Sequence, residues 1–447
     1  MSYLWHSFAR YGTDTLSEPK IPHRVHRQTE TADGRASQPI VIVVMRWSWF
    51  RRMSAPVAVA TTGRNAAAGD EGAGERDVPR TSDLTLRSVQ VIFRHGARTP
   101  ITGLYGHDVD FPTPPGMEFR CRGPTSPLFF TEARRLYHRH YTTSVRHYEP
   151  IVRGPVLAGW CRPGQLTVQG RRDLAAVGTK LRKRYVDELK FLSPEYVPEE
   201  VLVRSTDVER TLESAVSLLE ALFPANDLTP AVNIRALKEH DENMYPRSSC
   251  RALQALKSAA MQSTAADRAK QREALTADVQ DWINSKSRGE PIRRFEGIHN
   301  TTQCYIANNV PLPHHLPRAL QIRIEDEAVY EMNTKYGSFK AARLGIVRRR
   351  QFAFGCIRDT TMIGHLKEFP AFASHIIVEL YEQKSSGKMW VRAMYSGQRI
   401  VEDLDLPGSI VNDDGHALVE LEDLATRLAP IIPDPLAYDD ECKSPRK

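Results

Sequence analysis

The segment 89–100 constrains the fold and the chemistry of this 447-residue chain more than any other stretch. It reads VQVIFRHGARTP, so a run of mostly apolar, largely β-branched residues leads directly into Arg94, His95, Gly96 and Arg98. An apolar run of this length that is bounded by Gly and Pro is typical of a buried strand. The strand is therefore predicted to end on an imidazole that lies between two guanidinium groups, with a glycine at the turn.

Two permanent cations beside one histidine favour the binding of an anion. Fixed positive charges would repel a metal ion, so we expect no metal at this place. Guanidinium groups bind phosphate oxygens in bidentate fashion, and an imidazole among them can attack the phosphorus atom. A surface Arg/His cluster at a strand end is the alternative, but the R-H-G-x-R turn after an apolar strand is more specific than a lone histidine. The segment predicts a phosphoryl-transfer site.

The R-H-G-x-R-T-P pattern resembles the signature of the histidine acid phosphatases, a branch of the histidine phosphatase superfamily. The resemblance implies a phosphohistidine mechanism without a metal or other cofactor. It makes His95 the expected nucleophile and Arg94 and Arg98 expected phosphate ligands. It also implies an α/β fold, a three-layer, phosphoglycerate-mutase-like sheet flanked by helices with an inserted helical subdomain.

A second segment supplies an expected third phosphate arginine. Residues 200–205 read EVLVRS, a short strand, and Thr206 with Glu209 fits a capping box at a helix start. Arg204 is then at the junction of a strand and a helix N-terminus, which favours anions, and it resembles the family's third arginine. An ordinary strand-end charge is the alternative. Arg210 is expected on the solvated face of the helix.

The last motif departs from the family pattern. Residues 352–361 read FAFGCIRDTT, an apolar strand that ends on charge. Asp359 matches the family aspartate that protonates the leaving alcohol, but Arg358 occupies the place of the family's phosphate-binding histidine. Arginine is longer and always charged, so we expect reduced activity, either because phosphate is held more tightly or because Asp359 is kept as a carboxylate. The shortened flanks of this motif reflect either divergence or an error in the gene model.

Residues 85–447 are expected to form one phosphatase domain, with helical insertions at about 105–160 and 226–318. Thr167 is predicted to open a helix, and residues 373–382 and 388–395 alternate like a hairpin. The net charge of +7 favours anionic substrates or peripheral contact with an acidic membrane, but no long basic run with aromatic residues indicates nucleic acid. No transmembrane segment is expected.

Residues 1–84 are expected to be a disordered or targeting extension outside the domain. Ile40–Met45 is apolar but too short to span a bilayer. Residues 45–69 contain arginines and no Asp or Glu, which resembles a mitochondrial transit segment if translation begins at Met45. A secretory or lysosomal destination is the alternative.

The six cysteines are scattered singly, without zinc spacing, and do not force a disulfide framework. Cys356 is most simply a buried thiol. The sequon at Asn300 would matter only in a secreted chain.

Two further segments, LRKRYVDELKFLSP at 181–194 and ENMYP at 242–246, resemble the lysophosphatidic acid phosphatases of the family. The resemblance implies a phosphate monoester as substrate, with a lysophospholipid as one candidate. Two rival functions are left open. One is a phosphomutase, which shares the R-H-G opening, and the other is a pseudophosphatase that binds phosphate esters without turnover.

Overall fold

A computed structural model of the protein describes a sheet, the helices that pack on or beside it and the loop of the first motif. The described residues are 40–45, 78–101, 116–121, 141–143, 161–206, 208–224, 232–236, 250–283, 292, 294–312, 314–336, 369–396, 401–403, 406–429 and 438–443. Three residues singled out above, Cys356, Arg358 and Asp359, lie outside them.

The strands form one mixed sheet. Their bounds are β1 Ile40–Met45, β2 Leu84–Arg94, β3 Tyr141–Thr143, β4 Val201–Ser205, β5 Val232–Arg235, β6 His375–Gln383, β7 Met389–Ser396, β8 Val401–Asp403, β9 Ile410–Val411 and β10 Ala417–Glu420. Their order is β3-β5-β4-β1-β2-β6-β7-β10-β9, and β8 pairs with β7. β1 is antiparallel to both β2 and β4, so β2 and β4 run in the same direction and end at the same edge of the sheet.

The helices are α1 Val168–Arg182, α2 Glu209–Leu222, α3 Arg251–Ser263, α4 Ala265–Trp282, α5 Phe295–Ala307, α6 Arg318–Tyr336, α7 Leu421–Leu428 and α8 Tyr438–Lys443. A short π-helix, Lys183–Glu188, continues α1. α1 and α2 pack on one face of the sheet, whereas α3 to α6 come from the part of the chain between β5 and β6. Within the described residues, no helix is long and apolar enough to cross a membrane.

The core against α1 and α2 follows from the period of two in β2. Val89, Val91 and Phe93 point to the same face and are buried there. They meet apolar side chains that recur at helical spacing on the two helices: Leu174, Val177 and Leu181 of α1, and Leu212, Ala215, Leu219 and Leu222 of α2. The apolar run of the first motif is therefore a core strand, and its last residues emerge at the sheet edge.

The α/β class is confirmed, as are two local predictions. Thr167 caps α1, because its hydroxyl oxygen accepts a hydrogen bond from Gly170 N at 3.2 Å. β6 and β7 form the expected hairpin. Leu189 continues the helical spacing of Leu174, Val177 and Leu181 in the sequence, which predicts a buried position, but it follows the π-helix and is exposed. A π-helix has more residues per turn than an α-helix, which shifts the register of the residues that follow.

The capping box at Thr206 was wrong. α2 begins at Glu209, and its N-cap is Val208 without a side-chain cap. Thr206 is buried, and its hydroxyl hydrogen-bonds the hydroxyl of Thr211 at 2.9 Å. Glu209 binds Arg162 instead of a backbone N–H. Tertiary packing thus uses both polar groups that the pattern had assigned to the helix end.

Three strands fall in segments that were expected outside the sheet. Ile40–Met45 was placed in the N-terminal extension, yet it pairs with both β2 and β4. β3 and β5 lie within the two expected helical insertions but pair with each other and extend the sheet beyond β4. A short apolar run is equally compatible with a strand and with a loop in sequence. Here each run becomes a strand because it pairs with the edge of a neighbouring strand.

Two disulfides join distant parts of the chain. Cys121 pairs with Cys161, and Cys250 pairs with Cys442, which closes a sequence separation of 192 residues. Cys304, on α5, is a buried free thiol. The sequence spacing did not predict these pairs because spacing does not determine which chain segments meet in the fold.

Candidate active site

The backbone of residues 94–99 is held by three other parts of the chain. Arg94 N donates to Ser374 O at 2.9 Å, and Ala373 N donates to His95 O at 3.1 Å. Gly96 N donates to Ser214 Oγ of α2 at 3.2 Å. On the far side, the backbone N–H and the hydroxyl of Thr167 both donate to Ala97 O. These bonds fix the loop rigidly at the end of β2.

Gly96 is required by a close approach of the backbone to α1. A Cβ atom at this position would lie 2.2 Å from Gly170 O, well inside van der Waals contact. The reciprocal contact is as tight, since a Cβ on Gly170 would lie 2.1 Å from Ala97 O. The motif glycine therefore serves close packing between the loop and the first turn of α1, rather than a left-handed backbone angle.

His95 is held in one tautomer. Its ring is buried, and Nδ1 lies 2.8 Å from Gly96 O. A carbonyl oxygen only accepts, so Nδ1 carries the proton and Nε2 carries the lone pair. The pKa of His95 is lowered well below 6.5, first by burial and then by the charges of Arg210, Arg94 and Arg98. The imidazole is therefore neutral and keeps its lone pair in mildly acidic solution.

Arg94 and Arg98 are both buried, with exposed fractions of 7% and 6%. Arg94 donates to Pro370 O and, at 3.1 Å, to Asn300 Oδ1. Arg98 donates to Thr99 O at 2.8 Å and to the Cys304 thiol at 3.3 Å. Burial, and then the charge of Arg98, lower the pKa of Arg94 to about 9. Among the described residues every hydrogen-bond acceptor of these two groups is neutral, so their positive charge is available to an anion.

Arg210 is the third cation near His95, although the helical spacing of the apolar residues in α2 predicted that it would lie on the solvated face. It is half-buried, and of the three arginines it has the largest effect in lowering the pKa of His95. The flanking carboxylates fix this turn of α2: Glu209 binds Arg162 at 2.5 Å and Glu213 binds Arg171 at 2.8 Å. Sequence offered one signal, since Arg210 and Ser214 are four residues apart and share a helix face. The Ser214 hydroxyl donates to Arg210 O and accepts from Gly96 N.

Arg204 lies near the carboxyl end of β4, half-buried. Its Cα pairs with Ile42 of β1 and with Arg235 of β5. β1 separates β4 from β2, so Arg204 is at the same sheet edge as Arg94. The backbones of β4 and β2 are about 10 Å apart, which is two strand spacings. Its role as a phosphate ligand stays a prediction.

Residues 369–374 form an aromatic wall beside the cations. The Arg94 guanidinium carbon lies 4.5 Å from the centre of the Phe372 ring, and the Arg98 carbon lies 6.0 Å from it. The His95 ring is 5.6 Å from the same ring. Phe372 thus contributes a nonpolar surface that excludes water while its π-face stabilises the two guanidinium groups.

α5 supplies further contacts that sequence reasoning missed. Asn300, Cys304 and Asn308 recur every four residues, and all three touch Arg94 or Arg98. The Asn300 side chain also donates to Glu296 O at 2.9 Å, while Thr301 and Thr302 are buried. The two threonines of the sequon are therefore inside the fold, and Asn300 is half-buried with both ends of its amide engaged. The i, i+4 repeat of polar residues was the available signal.

Comparison with known proteins identifies the family of the chain. The sequence profile of the histidine phosphatase superfamily, branch 2, matches residues 85–321. Lysophosphatidic acid phosphatase type 6 from Mus musculus is 28% identical over 362 residues, 73% of this chain and 82% of that protein. The Homo sapiens protein of the same name is 27% identical over 375 residues, with 74% and 82% covered. The crystal structure of Klebsiella sp. ASR1 phytase superposes with a TM-score of 0.51 at 15% identity, covering 82% of this chain and all of that one. The matched profile spans more than half of the sequence and contains His95 with its three neighbouring arginines, and the chain belongs to branch 2 of the histidine phosphatase superfamily.

Proposed function

We propose that the protein hydrolyses phosphate monoesters through a phosphohistidine at His95. The observation that carries the proposal is the buried ring of His95, whose Nδ1 lies 2.8 Å from Gly96 O and whose pKa is lowered by burial and by the charges of Arg210, Arg94 and Arg98. A neutral imidazole with its lone pair on Nε2 follows from it. Such a site attracts a dianion and presents a nucleophile to it. The supporting relatives are named acid phosphatases.

The reaction has two displacements at phosphorus. In the first, the Nε2 lone pair forms an N–P bond while the ester P–O bond breaks, and Asp359 gives its proton to the departing alcohol. In the second, water attacks the phosphohistidine, the N–P bond breaks, and the carboxylate of Asp359 takes the water proton. The arginines stabilise the negative charge on the equatorial oxygens in both steps.

The depressed pKa of His95 suits catalysis at acidic pH. A histidine with its ordinary pKa would be protonated and unable to attack below about pH 6. Here the protonated form is disfavoured by burial and by three nearby cations, so the lone pair persists as the pH falls. An acidic optimum, at which Asp359 is also protonated in part, is the expected behaviour.

The test is hydrolysis of p-nitrophenyl phosphate at pH 4–6 by the wild-type chain and by His95→Ala. The variant should be inactive because the nucleophile is absent. Residual activity above about a thousandth of the wild-type rate would exclude His95 as nucleophile. Circular dichroism of both proteins establishes that the variant is folded.

A pseudophosphatase is the second candidate, and Arg358 is the observation that favours it. Comparison of the wild-type chain with Arg358→His separates the two functions. A steep rise in the hydrolysis rate on this change would show that the wild-type chain is impaired, whereas an active wild-type chain with an unchanged rate would exclude the second candidate. Absence of phosphoryl transfer to an added acceptor would exclude a phosphomutase.

For the substrate, we propose a lysophospholipid such as lysophosphatidic acid. The support is the similarity to relatives that carry this name and a net charge of +7, which favours acidic membrane surfaces. Release of phosphate from lysophosphatidic acid with a kcat/KM no higher than that of p-nitrophenyl phosphate would argue against it. A mitochondrial location is part of the same proposal, and fractionation of cells that express the tagged protein tests it against a secretory or lysosomal one.

A further inference from the structure

The hydrogen bonds of Arg94 suggest a role for α5 that goes beyond packing. Arg94 is desolvated, and the described structure gives its two terminal nitrogens one neutral acceptor each, Pro370 O and Asn300 Oδ1. Pro370 O is a backbone atom. Asn300 is therefore the side chain that sets the orientation of this guanidinium.

A neutral acceptor and a carboxylate would act differently at this place. An amide oxygen orients a guanidinium without cancelling its charge, whereas a carboxylate forms an ion pair and competes with phosphate for the same N–H groups. Burial and the charge of Arg98 lower the pKa of Arg94 to about 9, although the nearby Cys304 and Glu296 act in the opposite direction. Glu296 makes no direct hydrogen bond to Arg94, and it is paired with Lys335. An incoming phosphate then meets an oriented guanidinium without a carboxylate bound to it.

α5 is fixed independently of the site. The carboxylate of Glu331, on α6, accepts hydrogen bonds from Phe295 N and Glu296 N, both at 3.1 Å, and so satisfies the first turn of α5. Glu331 is fully buried and binds Arg272 of α4 at 3.0 Å. Lys335 of α6 binds Glu296 at 2.9 Å. The helix that presents Asn300 is therefore anchored by buried ionic contacts to two other helices.

The same face of α5 also contacts the second arginine of the motif. Cys304, one turn after Asn300, accepts from Arg98 Nη1 at 3.3 Å. Asn308, one turn further, donates to Arg98 O at 3.2 Å and to Cys304 O at 2.7 Å. The face of α5 and its C-cap residue Asn308 thus hold two cations in a fixed relation, Arg94 at the end of β2 and Arg98 in the loop that follows.

We infer that Asn300 is a positioning residue for phosphate binding, acting through Arg94 and held in place by α5. This inference rests on the proposed function. Asn300 orients the guanidinium of Arg94 and leaves its charge available to phosphate. A residue that served packing alone would not do this.

The experiment compares the wild-type chain with Asn300→Ala and Asn300→Asp. The readouts are kcat/KM for p-nitrophenyl phosphate, the inhibition constant of inorganic phosphate, and the thermal unfolding midpoint. Asn300→Ala should lower kcat/KM by about 10- to 100-fold and raise the inhibition constant in parallel, as expected for the loss of one hydrogen bond to a charged group. Asn300→Asp should be worse than Asn300→Ala, because the new carboxylate neutralises Arg94.

The order of the two variants carries the test. A structural role predicts the opposite order, since Asp has the shape of Asn and leaves no cavity. The inference is overturned if the inhibition constant is unchanged in both variants, or if the Asp variant is milder than the Ala variant. Asn412→Asp is the matched control. Asn412 is buried whereas Asn300 is half-buried, but both side-chain amides are hydrogen-bonded at both ends. Asn412 Oδ1 accepts from Asp414 N and His416 N at the turn between β9 and β10, so this variant should change only the unfolding midpoint.

Failure of the proposed function gives a different result. If the wild-type chain neither hydrolyses p-nitrophenyl phosphate nor binds inorganic phosphate by calorimetry, the proposed function fails at its base. If the wild-type chain is active and the Asn300 variants match it, only the present inference fails.

Discussion

At the scale of single residues, the arginines around His95 can be distinguished by substitution. Arg210→Ala should lower kcat/KM by about 100- to 1000-fold, which is typical of removing one buried charge-stabilising group. It should also raise the pKa of His95 towards 6.5, because a nearby positive charge is lost. The acidic limb of the pH–rate profile then moves to higher pH, so the loss is larger at pH 4.5 than at pH 6.5.

Arg204→Ala is the matched comparison for that prediction. It removes the same side chain from a position one strand beyond β1, and its effect on the acidic limb should be smaller. A large loss of kcat/KM in Arg204→Ala together with a small loss in Arg210→Ala would show that Arg204, and not Arg210, is the third phosphate ligand.

His299 of α5 should make the stability of the fold depend on pH. It is buried, its ring centre is 4.6 Å from that of Phe369, and burial followed by the charge of Arg94 lowers its pKa to about 3. The unfolded chain therefore takes up this proton first, and stability is lost as the pH falls from about 6.5 towards 3. When the pH falls from 7 to 5, this one group should lower the free energy of unfolding by about 2 kcal/mol.

His299→Leu should remove this contribution. Urea unfolding at pH 7 and pH 5 gives the stability lost by each protein, and the loss should be smaller in the variant. Equal losses in the two proteins would show that His299 titrates normally in the folded state.

Residue-scale prediction succeeded where the chemistry lies within one short segment. Arg94, His95 and Arg98 come together in the structure because they share one turn after a core strand. Arg210 was missed because helical periodicity identifies the apolar face of α2 and treats the remaining charges as solvated. Ser214 joins the backbone of Arg210 to that of Gly96, and this contact between two distant segments has no local signal in the sequence.

At the scale of elements, the contact between the motif loop and α1 is the tightest packing near the site. Gly96→Ala should destabilise the protein by about 1–3 kcal/mol, because the new methyl group meets backbone that cannot move without displacing α1. It should also abolish most activity, since His95 moves with its neighbour. Gly297→Ala on α5 is the control: a Cβ there has no neighbour within 4 Å, so it should stabilise the helix by about 0.5–1 kcal/mol. Denaturant midpoints that shift in the same direction for both variants would contradict the close-packing argument.

The helix caps were predicted correctly only where the capping side chain keeps its local hydrogen bond in the packed structure. The Thr167 cap was correct because its side chain bonds its own helix. The Thr206 cap was wrong because Thr211 competes for the hydroxyl. The role of α5 depends on its contacts with Glu331, Arg94 and Arg98, which lie far away in sequence, and no local pattern contains them.

At the scale of the whole molecule, β1 joins the two strands that carry the candidate arginines. A chain that begins at residue 78 would leave both β2 and β4 without their shared partner. It should therefore unfold at a lower urea concentration than a chain that begins at residue 30. It should also be less active, because the exposed edges of β2 and β4 promote aggregation. Equal midpoints and equal rates would show that the sheet does not need this strand.

β1 also bears on where the protein is delivered. The arginine-rich stretch that could direct it to mitochondria starts at Met45, the last residue of this strand, and such leaders are cut off on import. A transit segment at this place requires translation to begin at Met45, so an imported molecule would lack the strand that joins β2 to β4, whereas a molecule that keeps the strand was translated from an earlier methionine. One polypeptide cannot do both, and Edman sequencing of the purified cellular protein would show which fate it meets.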